Sequence, residues 1–141
     1  MLKILLPIDG SDYSVKAARK SIEMMAWYRE RPEIHVLNVQ FPLDGNVSLF
    51  INHSDIHQYH YEEGMKSLQT ACEILDQAEI PYENHITVGD PAEMIERFAI
   101  ELHCNLIVIS ARGHGVIQSL LLGSVVNKVM QLSSIPVLLV K

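Results

Sequence analysis

Hydrophobic residues occur along the chain in two alternating patterns: short continuous apolar runs, and longer segments where they recur every three or four residues. Short runs bounded by turn residues are typical of buried strands, and the longer spacing predicts helices that bury one face. We predict five strands, which cover Leu2 to Ile8, Ile34 to Val39, Tyr82 to Val88, Leu106 to Ile109 and Pro136 to Val140. In the third, Tyr82, Asn84, Ile86 and Val88 share one face.

A helical segment follows each of the first four predicted strands. The first of these helices ends before Arg31-Pro32, and the second begins between Asp55 and Glu62 and stops at Pro81. The predicted apolar faces consist of Val15, Ala18, Ile22 and Met25 in the first helix and Met65, Leu68, Cys72 and Leu75 in the second.

The last two helices carry clear start signals. Asp90 is a favourable N-cap, Pro91 suits the first helical position, and Glu93 completes the motif. In the fourth helix Ser124 follows Gly123, and we predict Ser124 as the N-cap residue.

The connection after the second strand, residues 41–54, is long and polar. We interpret it as a lid or a flexible crossover. His53, His57 and His60 follow, and histidines four residues apart on a helix can chelate zinc. No HExxH motif, cysteine pair or acidic third ligand accompanies them, so we interpret this segment as a solvated, partly ordered face and predict no metal site.

Alternating strands and helices predict a parallel sheet with helices on both faces, which is a three-layer α/β/α sandwich. A length of 141 residues fits one domain, residues 1–141, with a well-buried core. The last strand, Pro136 to Val140, leaves an apolar edge. Because such an edge is a liability, we expect it to pair with a second copy in a homodimer.

Composition and charge narrow the function classes. The net charge of −6 argues against a broad nucleic-acid footprint, which needs a basic face. No apolar run approaches the ~20 residues of a membrane span. Cys72 and Cys104 lack CxxC spacing and are expected to be buried apolar residues, which favours a cytoplasmic protein.

Residues 106–124 carry the strongest chemical signal. The apolar run from Leu106 to Ile109 breaks into Gly113-His114-Gly115, and Gly123-Ser124 then begins a helix. Glycines let backbone N–H groups approach an anion, and the first turn of a helix offers unpaired N–H donors at its positive end. The stretch therefore predicts a phosphate site.

Asp9 and Val39 follow the first and second predicted strands, and the glycine loop follows the fourth. Ligands of open parallel sheets bind beyond the carboxyl ends of the strands, so these features converge. A nucleotide fits this arrangement if the apolar strand ends hold its base, Asp9 accepts from a ribose hydroxyl or the base, and the glycine loop binds its phosphates.

Three stretches of the chain resemble the universal stress protein family: Pro7-Ile8-Asp9-Gly10-Ser11, residues 110–125, and Pro136 to Val140. The resemblance covers the whole chain. The ATP-binding subset of the family has the pattern G-x2-G-x9-G-[S/T], which Gly113 and Gly123-Ser124 fit. Ser110 stands where the pattern has its first glycine, so a Cβ is added there.

The resemblance implies a Rossmann-like sandwich, similar to adenine nucleotide alpha hydrolases, with strand order 3-2-1-4-5. It also implies ATP, ADP or AMP as ligand, Mg²⁺ with ATP, and a dimer formed through the last strand. Transferred to this chain, the family's binding residues are Pro7, Asp9 and Val39 around adenine and ribose, Ser110, Arg112, Gly113, His114, Gly115 and Val116 along the ribose and phosphate wall, and Gly123, Ser124, Val125 and Val126 at the phosphates.

We therefore predict a dimeric, nucleotide-dependent regulatory protein with an unidentified protein partner and no dedicated catalytic residues. A nucleotide-free interaction protein of the same fold and a slow ATP hydrolase remain alternatives. A phospho-acceptor receiver domain is weaker. It would use Asp9, Asp90, Ser110 and Lys141, but Asp90 has the pattern of an N-cap and no helix follows Lys141.

Overall fold

The computed structural model describes residues 1–114 and 122–141, and the structural statements below refer to that part of the chain. Its strands are β1 (Lys3–Pro7), β2 (Glu33–Gln40), β3 (Tyr82–Val88), β4 (Leu106–Ser110) and β5 (Val137–Val140). Its helices are α1 (Asp12–Met24), α2 (Gly45–Ser48), α3 (His53–Gln77), α4 (Pro91–Glu101) and α5 (Ser124–Leu132), and a 3₁₀ turn (Met25–Trp27) follows α1.

The described strands form one five-stranded sheet in the order β3-β2-β1-β4-β5. Every neighbouring pair is parallel, and β1 lies at the centre, where Ile4 is in register with Ile34 of β2 and Leu106 of β4. The predicted fold class and the strand order 3-2-1-4-5 are confirmed. The order reverses between β2-β1 and β1-β4, which opens a crevice at the carboxyl end of β1.

Each face of the sheet is covered by a pair of helices, which gives the expected three layers. On one face α1 and α3 pack on β1 through residues such as Ala18 and Leu68 against Ile4. On the other face α4 and α5 enclose a second cluster, in which Ile95 and Val129 are buried. Within the described residues, no helix combines the length and the apolar character needed to cross a membrane.

The face that α1 buries matches the predicted one at Ala18 but is otherwise shifted by one residue. The residues buried there are small, notably Ser14, Ala17 and Ser21, whereas Val15 and Ile22 are only half-buried. The hydroxyls of Ser14 and Ser21 donate to the backbone carbonyls of Ser11 and Ala17, so their burial leaves no unpaired donor. Small side chains let the helix approach the sheet closely. The helix also ends at Met24, well before Arg31-Pro32.

The connection after β2 contains the short helix α2, and its role as a lid or crossover stays a prediction. The long helix α3 begins at His53, earlier than predicted, because the Asn52 side chain accepts from the N–H of Asp55 and caps it. The prediction of a solvated histidine face is wrong for His60, which is 5% exposed, and holds for His53 and His57. His60 continues the buried stripe of α3 one turn towards its N-terminus.

The start of α4 is as predicted, since the Asp90 carboxylate accepts from the N–H of Glu93 and Pro91 occupies the first helical position. The start of α5 is not. Gly123, rather than Ser124, is the N-cap residue, and Ser124 is already helical. A glycine has no side chain with which to cap a helix, so α5 begins without the side-chain hydrogen bond that the sequence predicted.

Candidate ligand-binding site

A cavity of about 450 Å³ lies at the carboxyl ends of β1, β2 and β4, where the strand order reverses. Its volume is in the range of small-molecule sites. The floor is apolar and includes Pro7, Leu37 and Ile109, and the rim carries Asp9 and Arg112. The cavity therefore combines a surface for a flat apolar group with charged groups at its edge.

The structure brings eleven of the thirteen predicted site residues to this one cavity, and Gly115 and Val116 lie outside the described residues. Residues from the carboxyl ends of three strands and from the start of α5 meet here. The predicted residues that line it are Pro7, Asp9, Val39, Ser110, Arg112, Gly113, His114, Gly123, Ser124, Val125 and Val126.

The carboxylate of Asp9 is held by three backbone and hydroxyl donors. The N–H and hydroxyl of Ser11 donate to its Oδ1 at 2.9 and 2.5 Å, and the N–H of His114 donates to its Oδ2 at 3.0 Å. Burial alone would raise the pKa of Asp9, but these hydrogen bonds to the charged form outweigh it and lower the pKa. Asp9 therefore stays ionised at neutral pH, with lone pairs left for a ligand hydroxyl.

His114 makes a second contact with the same residue. Its Nε2 lies 2.8 Å from the carbonyl oxygen of Asp9. Because a carbonyl only accepts, Nε2 carries the hydrogen, which fixes the ring against the rim. Gly113, one residue earlier, passes so close to Asp9 that a Cβ built there overlaps Oδ2. This close approach explains why glycine stands at this position.

Ser110 ends β4 on the cavity wall and is 7% exposed. Its backbone does not have positive φ. Its hydroxyl donates to the carbonyl of Arg112 at 2.5 Å, which ties the strand end to the loop that follows. The replacement of the pattern's first glycine by serine is therefore accommodated without backbone strain, and the hydroxyl gains a structural contact.

The start of α5 faces the cavity. The N–H of Gly123 donates to the carbonyl of Ala111 at 2.8 Å, which fixes the helix start beside the end of β4. The first N–H groups of any helix have no acceptor within the helix, and the N-cap residue Gly123 supplies no side-chain hydrogen bond to them. A Cβ at Gly123 would meet only ordinary contacts, the nearest at 3.6 Å from Ala111 O. Gly123, Ser124, Val125 and Val126 line the cavity, so the N-terminal turn of α5 borders it, and such a turn favours an anion.

Arg112 adds positive charge to the same rim. Among the described residues its guanidinium has no carboxylate partner within ion-pair distance, although Arg97 pairs with Glu101 and Lys128 with Asp90. A half-buried cation that pairs with no described carboxylate, next to a helix N-terminus, makes this side of the cavity rim electropositive.

Sequence reasoning missed part of the wall. Asn38 of β2 is 2% exposed, and its side-chain amide donates to the carbonyl of Ile8 at 2.9 Å. Gln40 in turn donates to the Asn38 oxygen at 2.7 Å. This pair sets the position of the turn that presents Asp9. The signal was a polar residue between the apolar Leu37 and Val39 of the second strand, which periodicity alone does not mark as functional. Ser14, Phe41, Ser67, Pro91 and Ile95 also line the cavity.

Comparison with known proteins gives one consistent family. A model described as "Universal stress protein family" matches residues 1–141. The universal stress protein YxiE of Bacillus subtilis is 34% identical, with 99% of this chain and 98% of that protein aligned. The universal stress protein MJ0531 of Methanocaldococcus jannaschii is 31% identical, with 99% of this chain and 81% of that protein aligned.

Solved structures agree in fold. The hypothetical protein MJ0577 superposes with a TM-score of 0.85 at 26% identity, covering 99% of this chain and 95% of that one. A universal stress protein in complex with cAMP gives 0.73 at 24% identity, covering 99% and 97%. One from Archaeoglobus fulgidus in complex with dAMP gives 0.68 at 24% identity, covering 100% and 98%.

Proposed function

The chain belongs to the universal stress protein family, and we propose that it binds an adenine nucleotide in the cavity between β1 and β4 and acts as a nucleotide-dependent regulatory protein. The observation that carries this proposal is that one cavity has a negatively charged group on one side and positive charge on the other. The Asp9 carboxylate lies on one side, and Arg112 and the open start of α5 on the other.

Each part of a nucleotide has a partner of matching chemistry. The base lies among the apolar strand ends, including Pro7, Val39 and Ile109. A ribose hydroxyl donates to Asp9, whose remaining lone pairs face the cavity. The phosphates lie at Arg112 and in front of α5, where N–H donors and the helix dipole favour negative charge. Ser124, Val125 and Val126 supply those first-turn N–H groups.

Two solved structures support adenine as the base. Proteins of this fold hold cAMP in one case and dAMP in the other, and at 24% identity they show that the fold can carry such a ligand. We propose ATP, ADP or AMP for this chain, with Mg²⁺ accompanying ATP. Mg²⁺ would bind chiefly through phosphate oxygens and water, as is usual for nucleotide complexes.

The deciding experiment is calorimetric titration of nucleotide-stripped protein with ATP, ADP and AMP, with and without Mg²⁺ and with GTP as comparison ligand. We expect low-micromolar binding of an adenine nucleotide, about −8 kcal/mol. Gly123→Asp should abolish it, because its carboxylate would face the phosphates. The control is Gly123→Asn, which has the same size but no charge, because asparagine and aspartate are equally good N-caps.

Absence of heat, together with no nucleotide-dependent shift in melting temperature, would overturn the proposal. A ligand at 100 times its dissociation constant stabilises the fold by ~2.7 kcal/mol, which a melting experiment detects readily. The result would favour the alternative function, a nucleotide-free member that acts through protein contacts.

We propose that this protein is a binding protein rather than a dedicated catalyst. Of the described lining residues, Asp9 and His114 are the candidates for acid–base chemistry. Both oxygens of Asp9 already accept hydrogen bonds, and Nε2 of His114 is engaged with the Asp9 carbonyl. Slow hydrolysis of ATP is the alternative. It is tested by following ADP release with Mg²⁺ in wild type and Asp9→Asn, and rapid turnover would contradict our proposal.

We further propose a homodimer formed through β5, as expected from the sequence. This strand is at one end of the sheet order and pairs only with β4 among the described strands. Its residues Val137, Leu138 and Leu139 remain half-buried in the single chain. Light scattering should give twice the 15.9 kDa of one chain, and dilution to monomer should speed hydrogen exchange in β5. A concentration-independent monomer would contradict this assembly.

We also propose that the protein is cytoplasmic, because its two cysteines are free thiols, which stay reduced in that compartment.

A further inference from the structure

A second group of chemically active side chains lies where β2 meets β3, outside the lining of the cavity described above. His35 is on β2, and Glu83 and His85 are on β3, which is an edge strand of the sheet. In the parallel register His35 is opposite Glu83, and Leu37 is opposite His85. Alternate residues of a strand point to one face, so these three side chains converge on the same face.

The three side chains are close enough to share one ion. Nδ1 of His35 lies 3.0 Å from Nε2 of His85 and 3.8 Å from Oε2 of Glu83. All three ligand atoms are within 4.8 Å of one another. Among the described residues, no other group of three such side chains lies this close together. Tetrahedral zinc, with Zn–N bonds of ~2.0–2.1 Å, holds neighbouring ligand atoms about 3.3–3.4 Å apart. Small side-chain shifts would reach that geometry.

His35 is already oriented as metal-bound histidines are. Its Nε2 lies 3.0 Å from Oε1 of Glu33. A carboxylate only accepts, so Nε2–H donates and Nδ1 keeps a lone pair that points at His85. Lys3 in turn lies 3.1 Å from the same Glu33 oxygen. A carboxylate that fixes the far nitrogen of a ligating histidine is the usual outer-shell arrangement of zinc sites.

The surroundings combine a rigid base with an open entrance. His35 is 2% exposed, and the ring of His85 packs 5.7 Å from that of Phe98. Both imidazoles are therefore held in place. The side chain of Glu83 is 67% exposed, so an ion can enter from solvent at its side. Water can complete the coordination from the same direction.

We propose that His35, Glu83 and His85 bind a divalent transition-metal ion through Nδ1, the carboxylate and Nε2, and that Zn²⁺ is the ion that best fits. Two imidazoles and one carboxylate form a borderline ligand set that suits zinc, copper, nickel and cobalt rather than calcium or magnesium. A bound ion would link β2 to the edge strand β3 through two ligands from one strand and one from the other. This site is independent of the nucleotide cavity.

The test is titration of chelator-treated, dialysed full-length protein with ZnCl₂, followed by calorimetry. We expect one ion per chain. His85→Ala should weaken binding by more than the ~10- to 100-fold that loss of an outer-shell partner costs, and Glu33→Gln should weaken it within that range. His57→Ala is the matched control, because His57 is an exposed histidine outside the group. With Co²⁺ as probe, wild type should show the intense visible absorption of tetrahedral coordination.

Glu83→Gln guards against a folding artefact, since the exposed Glu83 side chain can change without disturbing the core. It should lower zinc affinity while leaving the melting temperature of the metal-free protein unchanged. Binding that survives His85→Ala and Glu83→Gln but is lost in His57→Ala would overturn the proposal and place the ion on α3. No binding by wild type would mean that His35 and His85 serve only as a hydrogen-bonded tie between strands.

Discussion

Oδ2 of Asp9 accepts a hydrogen bond from the backbone N–H of His114 at an N···O distance of 3.0 Å, although the two residues are 105 positions apart in sequence. This bond joins the loop after β1 to the loop after β4, the two central strands whose divergence opens the cavity. One side chain therefore serves both the shape of the site and its charge.

Asp9→Asn should remove an acid-sensitive part of the stability. Because the pKa of Asp9 is lowered in the folded protein, the ionised carboxylate stabilises the fold above its unfolded pKa. That contribution is lost as pH falls through the lower folded value. The melting temperatures of wild type and variant should therefore differ by a constant amount from neutral pH to about 5 and converge below roughly pH 4. Asp44→Asn is the exposed control. A difference that persists at low pH would contradict this origin.

Gly113→Ala should damage the site through the same carboxylate. The added Cβ overlaps Oδ2 of Asp9, so the side chain must swing away and release the N–H of His114. We expect a loss of about 1 kcal/mol in the free energy of unfolding and at least tenfold weaker nucleotide binding. Urea unfolding and calorimetry measure the two effects. Gly45→Ala is the control, since beyond its chain neighbours and its own helix no described heavy atom lies within 4 Å of the added Cβ.

Ser110→Ala tests whether the serine supports the loop or the ligand. It removes the hydroxyl that donates to the Arg112 carbonyl, so we expect a loss of about 1 kcal/mol in unfolding free energy. Nucleotide affinity should stay within about threefold, because the serine hydrogen is already used inside the protein. Ser110→Gly restores the family's glycine. A large gain in affinity for that variant would show that the Cβ crowds the ligand.

Gly64→Ala should weaken the contact between α3 and the sheet. Its Cβ would lie 2.6 Å from Cγ2 and 2.9 Å from Cδ1 of Ile86. Overpacking costs ~1–3 kcal/mol and the better helix propensity of alanine returns ~1, so we expect a net loss of about 1 kcal/mol in urea unfolding. Combined with Ile86→Ala, the loss should be smaller than the sum of the single effects. Strict additivity would show that the two side chains do not collide.

Both cysteines should react slowly in the folded protein. Burial raises the pKa of Cys72, and it raises the pKa of Cys104 to about 11, so little thiolate exists at neutral pH. A chromogenic disulfide reagent should label both thiols of the urea-unfolded protein quickly. Over the same time it should label neither thiol of the folded protein in buffer. We expect Cys104, which is 6% exposed, to be the slower. Rapid labelling of native Cys104 would mean that β4 opens locally.

The sheet could be predicted because β1, β4 and β5 are short apolar runs, and few topologies connect five strands that alternate with helices. The buried face of α1 could be predicted only at Ala18, since scoring by hydrophobicity favours Val15 and Ile22 over the Ser14 and Ser21 that are buried. In α1 the small size of a side chain, which lets the helix pack closely on the sheet, decided its burial more than its hydrophobicity did. For α3, the stripe of Leu68 and Leu75 extends back to His60, a signal that the polar composition of residues 53–63 concealed.

The site could be predicted in outline because carboxyl ends of parallel strands meet at one edge. Asp9, Val39 and Gly113 therefore had to come together once the strand order was known. The hydrogen bonds among them were not predictable. That Asn38 positions the Ile8 carbonyl, or that Ser110 ties down Arg112, depends on side-chain directions that periodicity does not specify. The proposed zinc ligands could not be predicted from spacing, because His35 and His85 are 50 residues apart in sequence.

The glycine at the start of α5 has a practical consequence for anyone who handles this protein. The N-cap residue Gly123 has no side chain to cap α5, so at the phosphate site we propose, an anion from the solution can bind the first-turn N–H groups. Phosphate and sulfate would occupy part of the place of a nucleotide, whereas chloride would fill it poorly. Melting temperatures and ligand affinities should therefore change with the choice of buffer, and the protein should look more stable and less receptive to nucleotide in phosphate.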